Sequence, residues 1–233
     1  MSTQLTTADG SGRMFDRIAG RYDFLNRVLS LGLDQSWRRK LVAAMPDDSA
    51  ALLDVATGTG DVALALAKAY PAAQITGLDP SVNMLEVGRT KVAGLALEAR
   101  VALVEGDAQA MAFEDDQFDG ATIAFGIRNV PDRLQGLREM RRVVRPGGPV
   151  VILELGQPRG GFLAPFARFH LRHIVPRLGA WISGDKEYRY LQESVTAFPP
   201  PETFAALMTE AGFSDVRFER MTFDAAHLYV GVA

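Results

Sequence analysis

No cysteine occurs in the 233 residues, which removes disulfides, thiolate nucleophiles and Cys-ligated metal centres together. No apolar run approaches the ~18 residues that mark a membrane span, and the polar first dozen residues lack the apolar stretch of a signal peptide. Basic charge is not in excess either. Lys and Arg number 25 against 28 Asp and Glu, a formal net charge of -3, so a sequence-independent grip on nucleic acid is unsupported. The expectation from these absences is a cytoplasmic chain with no nucleic-acid partner and no metal.

What remains is an ordinary globular composition, 48% hydrophobic and 23% charged, in a chain long enough for one large α/β domain. The Ser/Thr/Gly-rich residues 1–12 read as a disordered tail, and 13–233 as a single domain. Short β-branched runs near 51–56, 73–78, 101–105, 118–125 and 149–155 alternate with helical patterns near 61–70, 81–93 and 132–143. That alternation predicts βαβ units and a parallel sheet. Residues 157–200 break the pattern as an insertion rich in aromatics, Arg and Pro. A helix from Pro201 to before Gly212 and two β-like runs, 215–223 and 226–232, follow. The fold expected is doubly wound α/β, with seven mostly parallel strands, helices on both faces, a helical N-terminal segment and one insertion after the fifth strand.

The stretch "LLDVATGTGDVALALAKAYPAAQITGLD", residues 52–79, carries the chemistry. In open α/β sheets ligands sit beyond the carboxyl ends of the strands, where a glycine turn permits close backbone approach. Gly58 and Gly60 stand in that place. Asp79 ends the next strand nineteen residues after Gly60, near the ~20 expected for an acid that accepts ribose hydroxyls. A dinucleotide wants a third glycine and an anion-friendly helix start, but the third position is Ala63 and Asp61 is acidic. A cationic, phosphate-free nucleoside such as S-adenosylmethionine fits better, with Asp54 and Asp61 complementing its sulfonium and ammonium. Asp107 and Ala108, in "EGDA", end the third strand with an acceptor and a donor for adenine. Read singly, each acid is a cap or a turn residue; together they fall at successive strand ends.

The stretches "MFDRIAGRYDFLN" (14–26), "LLDVATGTGDVA" (52–63), "GLDPSVNML" (77–85), "GDAQAMAFEDDQFD" (106–119), "AFGIRNV" (124–130) and "MRRVVRPGG" (140–148) together resemble the ubiquinone/menaquinone biosynthesis C-methyltransferases. The resemblance runs from Met14 to the C-terminus. It implies a Rossmann-like class I methyltransferase domain and transfer of a methyl group from S-adenosylmethionine to a ring carbon of a polyprenyl quinol. Demethylmenaquinol is the first candidate, with the ubiquinone benzoquinol precursor, or both, as the alternative. Its cofactor positions fall on Thr59, Asp79, Asp107 and Ala108. Ala124 stands where the family often has serine, so that hydroxyl contact is absent. Ala56 replaces the first glycine of the general pattern.

Methylating an aromatic carbon needs an electron-rich ring, and a phenol of pKa ~10 must be helped to ionise. Arg128 is a permanent cation suited to a phenolate, and Asn129 is suited to orient an oxygen or a water. Arginine does not serve readily as a base, which leaves Tyr22, Asp23, His170 and His173 as candidates for proton removal. A surface ion pair for Arg128 and solvated positions for the two histidines are the bland readings. The 157–200 insertion suits a lid over the pocket or a peripheral contact with anionic lipid, its arginine stems snorkelling; a plain helical hairpin stands beside both. A homodimer is left open. The rival from another class, a nicotinamide-dependent oxidoreductase, lacks its third glycine. A nucleic-acid base methyltransferase lacks both a cysteine nucleophile and an Asn/Asp-Pro-Pro-aromatic turn, "AFGIRN" occupying the place.

Overall fold

The computed structural model describes Arg27, Ser30 and residues 32–156 and 193–233. The tail (1–12), Tyr22, Asp23 and most of the insertion, His170 and His173 included, lie outside those residues. Among the described residues, no helix is long and apolar enough to cross a membrane.

The β-branched runs form strands β1 (Ala51–Val55), β2 (Gln74–Asp79), β3 (Val101–Glu105), β4 (Gly120–Ala124) and β5 (Pro149–Leu155). The last two β-like runs form β6 (Ser214–Met221) and β7 (Ala226–Val232). One sheet takes the order β3-β2-β1-β4-β5-β7-β6. The first five strands are parallel; β7 is antiparallel to both β5 and β6. The chain reverses direction about β1, from which β2 and β3 run one way and β4 and β5 the other. That switch point is where a crevice opens in such sheets.

Helices cover both faces. α1 (Asp34–Val42), α2 (Asp61–Ala69) and α3 (Val82–Gly94) lie on one side; α4 (Arg133–Val143) and α5 (Pro201–Glu210) lie on the other. On the first face Trp37, Leu41 and Leu66 pack against Leu52 and Ile75, and on the second Leu137, Met140 and Phe204 pack against Leu53, Ile152 and Tyr229. Strand residues therefore divide by parity, and the central parallel strands β1, β4 and β5 are buried on both faces, whereas the edge strands β3 and β6 are partly exposed. The sequence pattern left the bounds of α1 open. The helix is fixed by Trp37 and Leu41, one turn apart and both buried. The Trp37 indole N–H donates to Thr222 Oγ1 at 2.9 Å, and the Tyr70 hydroxyl sits 2.8 and 2.9 Å from the carbonyls of Val42 and Met45.

Candidate active site

At the carboxyl ends of β1, β2, β3 and β4 lies an open cleft. Its floor is the turn 56–60, whose shape needs left-handed backbone: Gly58 has φ 57°, Gly60 φ 80° and Ala56 φ 50°. Alanine in that conformation carries a strain of roughly 1–2 kcal/mol that glycine would not. Room for its methyl comes from Gly126, where a Cβ would stand 2.6 Å from the Ala56 Cβ. Two backbone bonds, Thr57 N–H to Leu78 O and Gly60 N–H to Thr57 O, both 3.0 Å, tie the turn to β2 and to itself.

Asp79 fastens the turn from the neighbouring strand. One carboxylate oxygen accepts the Gly58 N–H at 2.8 Å and the other accepts the Ser81 N–H at 2.9 Å. It is buried, yet it lines the cleft. Asp79 thus organises two loops from within the cleft wall. Gly58, Thr59, Asp107, Ala108, Ala124 and Asn129 line the same cleft. Asp107 accepts the Gln109 N–H at 2.9 Å. Beyond it the chain is clamped by Arg142, which donates to Met111 O, Phe113 O, Asp115 and Glu139. Gly60 stands at the left-handed N-cap of α2.

Three sequence expectations need correction. Asp54 does not face the cleft. A parallel strand buried on both faces turns this side chain inward, where its two oxygens accept the Thr57 and Thr122 hydroxyls, each at 2.7 Å. Thr122 is its register partner on β4. Asp61 does line the cleft, but Lys91 on α3 neutralises it at 2.7 Å and also donates to Thr59 Oγ1 at 3.0 Å. Arg128 is neither a surface residue nor part of the cleft wall. It lies in the short 3₁₀ turn Ile127–Asn129, where a guanidinium nitrogen pairs with Glu154 at 2.7 Å and also donates to Phe125 O. Its backbone N–H donates to Glu154 as well, at 3.2 Å.

Burial pushes the Asp54 carboxyl from the ordinary 3.8 up to about 6, the two threonine hydroxyls and the charge of Arg38 opposing the rise in part. A raised acid stabilises the fold fully below its unfolded pKa and loses that contribution as pH rises through about 6. At pH 8 the buried charge then costs up to about 3 kcal/mol, at ~1.4 kcal/mol per pKa unit. Asp54→Asn is expected to melt above the parent at pH 8, with the gap nearly closed near pH 3; thermal scans at both values check this, and an equal gap at both would refute it.

Two residues at the cleft escaped the sequence reading. Arg38 lines it from α1, its guanidinium 5.2 Å above the Phe125 ring. Phe125 itself holds a left-handed φ of 59°, uncommon for a bulky side chain, with its N–H fixed to Leu153 O at 2.7 Å. No pattern in "SWRRK" says which arginine turns inward. Glu154 had a signal: a lone acid inside the apolar run "VVILEL".

The family model described as "ubiE/COQ5 methyltransferase family" matches residues 4–233. The chain belongs to this family. It is 46% identical over 220 residues to the ubiquinone/menaquinone biosynthesis C-methyltransferase UbiE of Geobacter sulfurreducens, covering 94% of this chain and 86% of that one. To the demethylmenaquinone methyltransferase of Thermus thermophilus it is again 46% identical over 220 residues, covering 94% and 99%. Among solved structures it resembles phosphoethanolamine N-methyltransferase 2 of Haemonchus contortus in complex with S-adenosyl-L-methionine (TM-score 0.67, 17% identity, 94% of this chain and 59% of that one). A possible histamine N-methyltransferase of Thermotoga maritima is similar as well (TM-score 0.66, 18% identity, 94% and 98%). This family member thus has the class I methyltransferase fold, with its cleft at the switch point of the sheet.

Proposed function

We propose that this methyltransferase moves the methyl group of S-adenosylmethionine to a ring carbon of demethylmenaquinol, giving menaquinol. The observation that carries the reading is the cleft itself: a glycine turn fastened by Asp79, with an acid or a small residue at each neighbouring strand end. These groups suit a nucleoside without phosphates. Asp79 takes the ribose hydroxyls, Asp107 and the Ala108 N–H take adenine, and Thr59, Gly58 and Gly60 shape the floor. Ala124 offers no hydroxyl. The cofactor supplies an electrophilic methyl on a positively charged sulfur.

For the ring, the chain must favour the ionised quinol oxygen and exclude water. Asn129 lines the cleft beyond β4, which supports it as the group that orients a ring oxygen. Arg128, held behind it by Glu154, sets the conformation of this turn and contributes its charge only in combination with that carboxylate. Tyr22 and Asp23 remain candidates for proton removal, and the 157–200 segment for covering the ring or touching lipid.

The relatives' names also support a second activity, C-methylation of the benzoquinol precursor of ubiquinone. Purified protein supplied with methyl-labelled S-adenosylmethionine and short-chain quinols of both ring types is expected to label the naphthoquinol, and label in both rings would establish dual activity. Absence of label in either ring would overturn the substrate assignment.

A further inference from the structure

Resting on that assignment of the cleft, we infer that Thr222, in the turn between β6 and β7, is a positioning residue for methyl transfer, acting through Trp37 and Phe125 on the side of the cleft where the methyl group meets the quinol. The backbone of this turn is unusual. Thr222, Phe223 and Asp224 hold consecutive left-handed φ values of 46°, 56° and 68°. Such backbone is unfavourable for residues with a Cβ, above all for β-branched threonine and bulky phenylalanine. A hairpin does not require them, because glycine, asparagine and aspartate close the same turns with less strain. Nor does burial offset the strain, since Phe223 is 56% exposed.

What the turn secures is a hydroxyl. Thr222 Oγ1 accepts the indole N–H of buried Trp37 at 2.9 Å, a bond between residues 185 positions apart in the chain. A buried indole N–H needs an acceptor, so this bond ties the orientation of α1 to the turn. The Trp37 ring in turn meets the Phe125 ring edge to face, with centroids 6.3 Å apart and planes at 61°. Phe125 lines the cleft between Ala124, which ends β4, and the 3₁₀ turn that carries Asn129. Thr222, Trp37 and Phe125 thus form one contiguous chain with left-handed backbone at both ends, and strain of this kind clusters where a site is held in a single geometry.

The turn is itself fastened and so able to transmit position. The Ala225 N–H donates to Thr222 O at 3.1 Å, and the Gly156 N–H, just past β5, donates to Ala225 O at 3.0 Å. His227 Nε2 lies 3.3 Å and Arg220 Nε 3.5 Å from Asp224 Oδ1. Gly156 packs so closely that a Cβ there would stand 2.4 Å from Asp224 O. The groups assigned to the cofactor, namely the turn 56–60, Asp79, Asp107 and Ala108, belong instead to β1, β2 and β3 and the loops after them. The brace therefore acts beyond β4, and its loss is read in turnover rather than in cofactor affinity.

The experiment compares Thr222→Val, which keeps the shape and removes the acceptor, with Thr222→Ser, which keeps the hydroxyl. Methyl transfer from labelled S-adenosylmethionine to a short-chain naphthoquinol is measured beside calorimetric S-adenosylmethionine binding, whose stoichiometry counts the folded sites. Hydrogen exchange of the Trp37 indole, assigned by its absence from the spectrum of Trp37→Phe, reports the bond directly. Thr222→Val is expected to exchange the indole proton faster and to lower kcat per folded site by about 10- to 100-fold, with cofactor affinity within a few-fold of the parent. Thr222→Ser is expected to restore both. Unchanged indole exchange in Thr222→Val, or faster exchange with unchanged kcat per site, would overturn the brace. So would an equal loss of kcat in the two variants, since the hydroxyl would then not be its cause, or a loss of cofactor affinity as large as that of kcat, which would set Thr222 to serve the cofactor. A parent protein that binds S-adenosylmethionine but methylates no quinol would instead overturn the substrate reading, and the brace with it.

Discussion

Glu154→Ala is expected to cost about 3–5 kcal/mol of stability in urea denaturation, the scale for stranding one partner of a buried ion pair. Both side chains of the pair are sealed, Arg128 at 5% exposure and Glu154 at 0%. Removing the carboxylate leaves a guanidinium without its counter-charge. It also deprives the backbone N–H groups of Arg128 and Leu155 of an acceptor, at 3.2 and 2.8 Å. Arg128→Leu is expected to be similarly damaging, since it strands the anion in turn. The double replacement Arg128→Leu/Glu154→Leu is expected to recover a large part of the loss, because a buried pair set against apolar groups of similar volume is close to neutral. Single losses below about 1 kcal/mol would mean that water reaches the pair. A slow Arg128→Leu enzyme therefore reports on the phenolate only if the fraction folded is measured beside the rate.

For Asp79→Ala, S-adenosylmethionine affinity is expected to fall by about 10²–10³, measured by calorimetry, with a loss of about 3–6 kcal/mol in stability. Two charge-assisted bonds to Gly58 and Ser81 vanish together, each on the scale of ~1.5–3 kcal/mol. The turn that forms the floor of the cleft is then released along with the ribose contact. Asp79→Asn keeps one carbonyl acceptor and is expected to lose less on both measures. A variant that binds weakly but is as stable as the parent would show that the turn holds its shape without this carboxylate. Its contribution would then be to the ligand alone.

Much of this was legible in the sequence because β-branched runs and glycine turns act locally. "ALLDV", "QITGLD" and "PVVILEL" each became a strand at nearly the expected bounds, and the acids at successive strand ends marked the cleft. What was not legible depends on neighbours remote in the chain. Asp54 looked like a ligand because strand parity, which turns it toward Thr122, is invisible until β1 and β4 are paired. Arg128 looked like a cation free to meet the phenolate because its partner lies 26 residues away on another strand. Arg38 was missed because its contact with the Phe125 ring joins α1 to a residue 87 positions further along the chain.

The place of β7 in the sheet bears on how the chain reaches its native state. β5 has β4 on one side, but its other edge is filled by a strand that begins 71 residues further along, at Ala226. Closing so long a loop is slow relative to the local βαβ steps. Until it closes, "PVVILEL" offers a bare row of N–H and C=O groups flanked by aliphatic side chains, a template to which another chain's strand can add. Two residues of that strand oppose such addition: Pro149 at its start, which has no N–H to give, and Glu154, whose inward-pointing charge is tolerable only when Arg128 is at hand. The carboxylate that braces the turn in the finished protein is thus also a gatekeeper against misassembly while the sheet is still open.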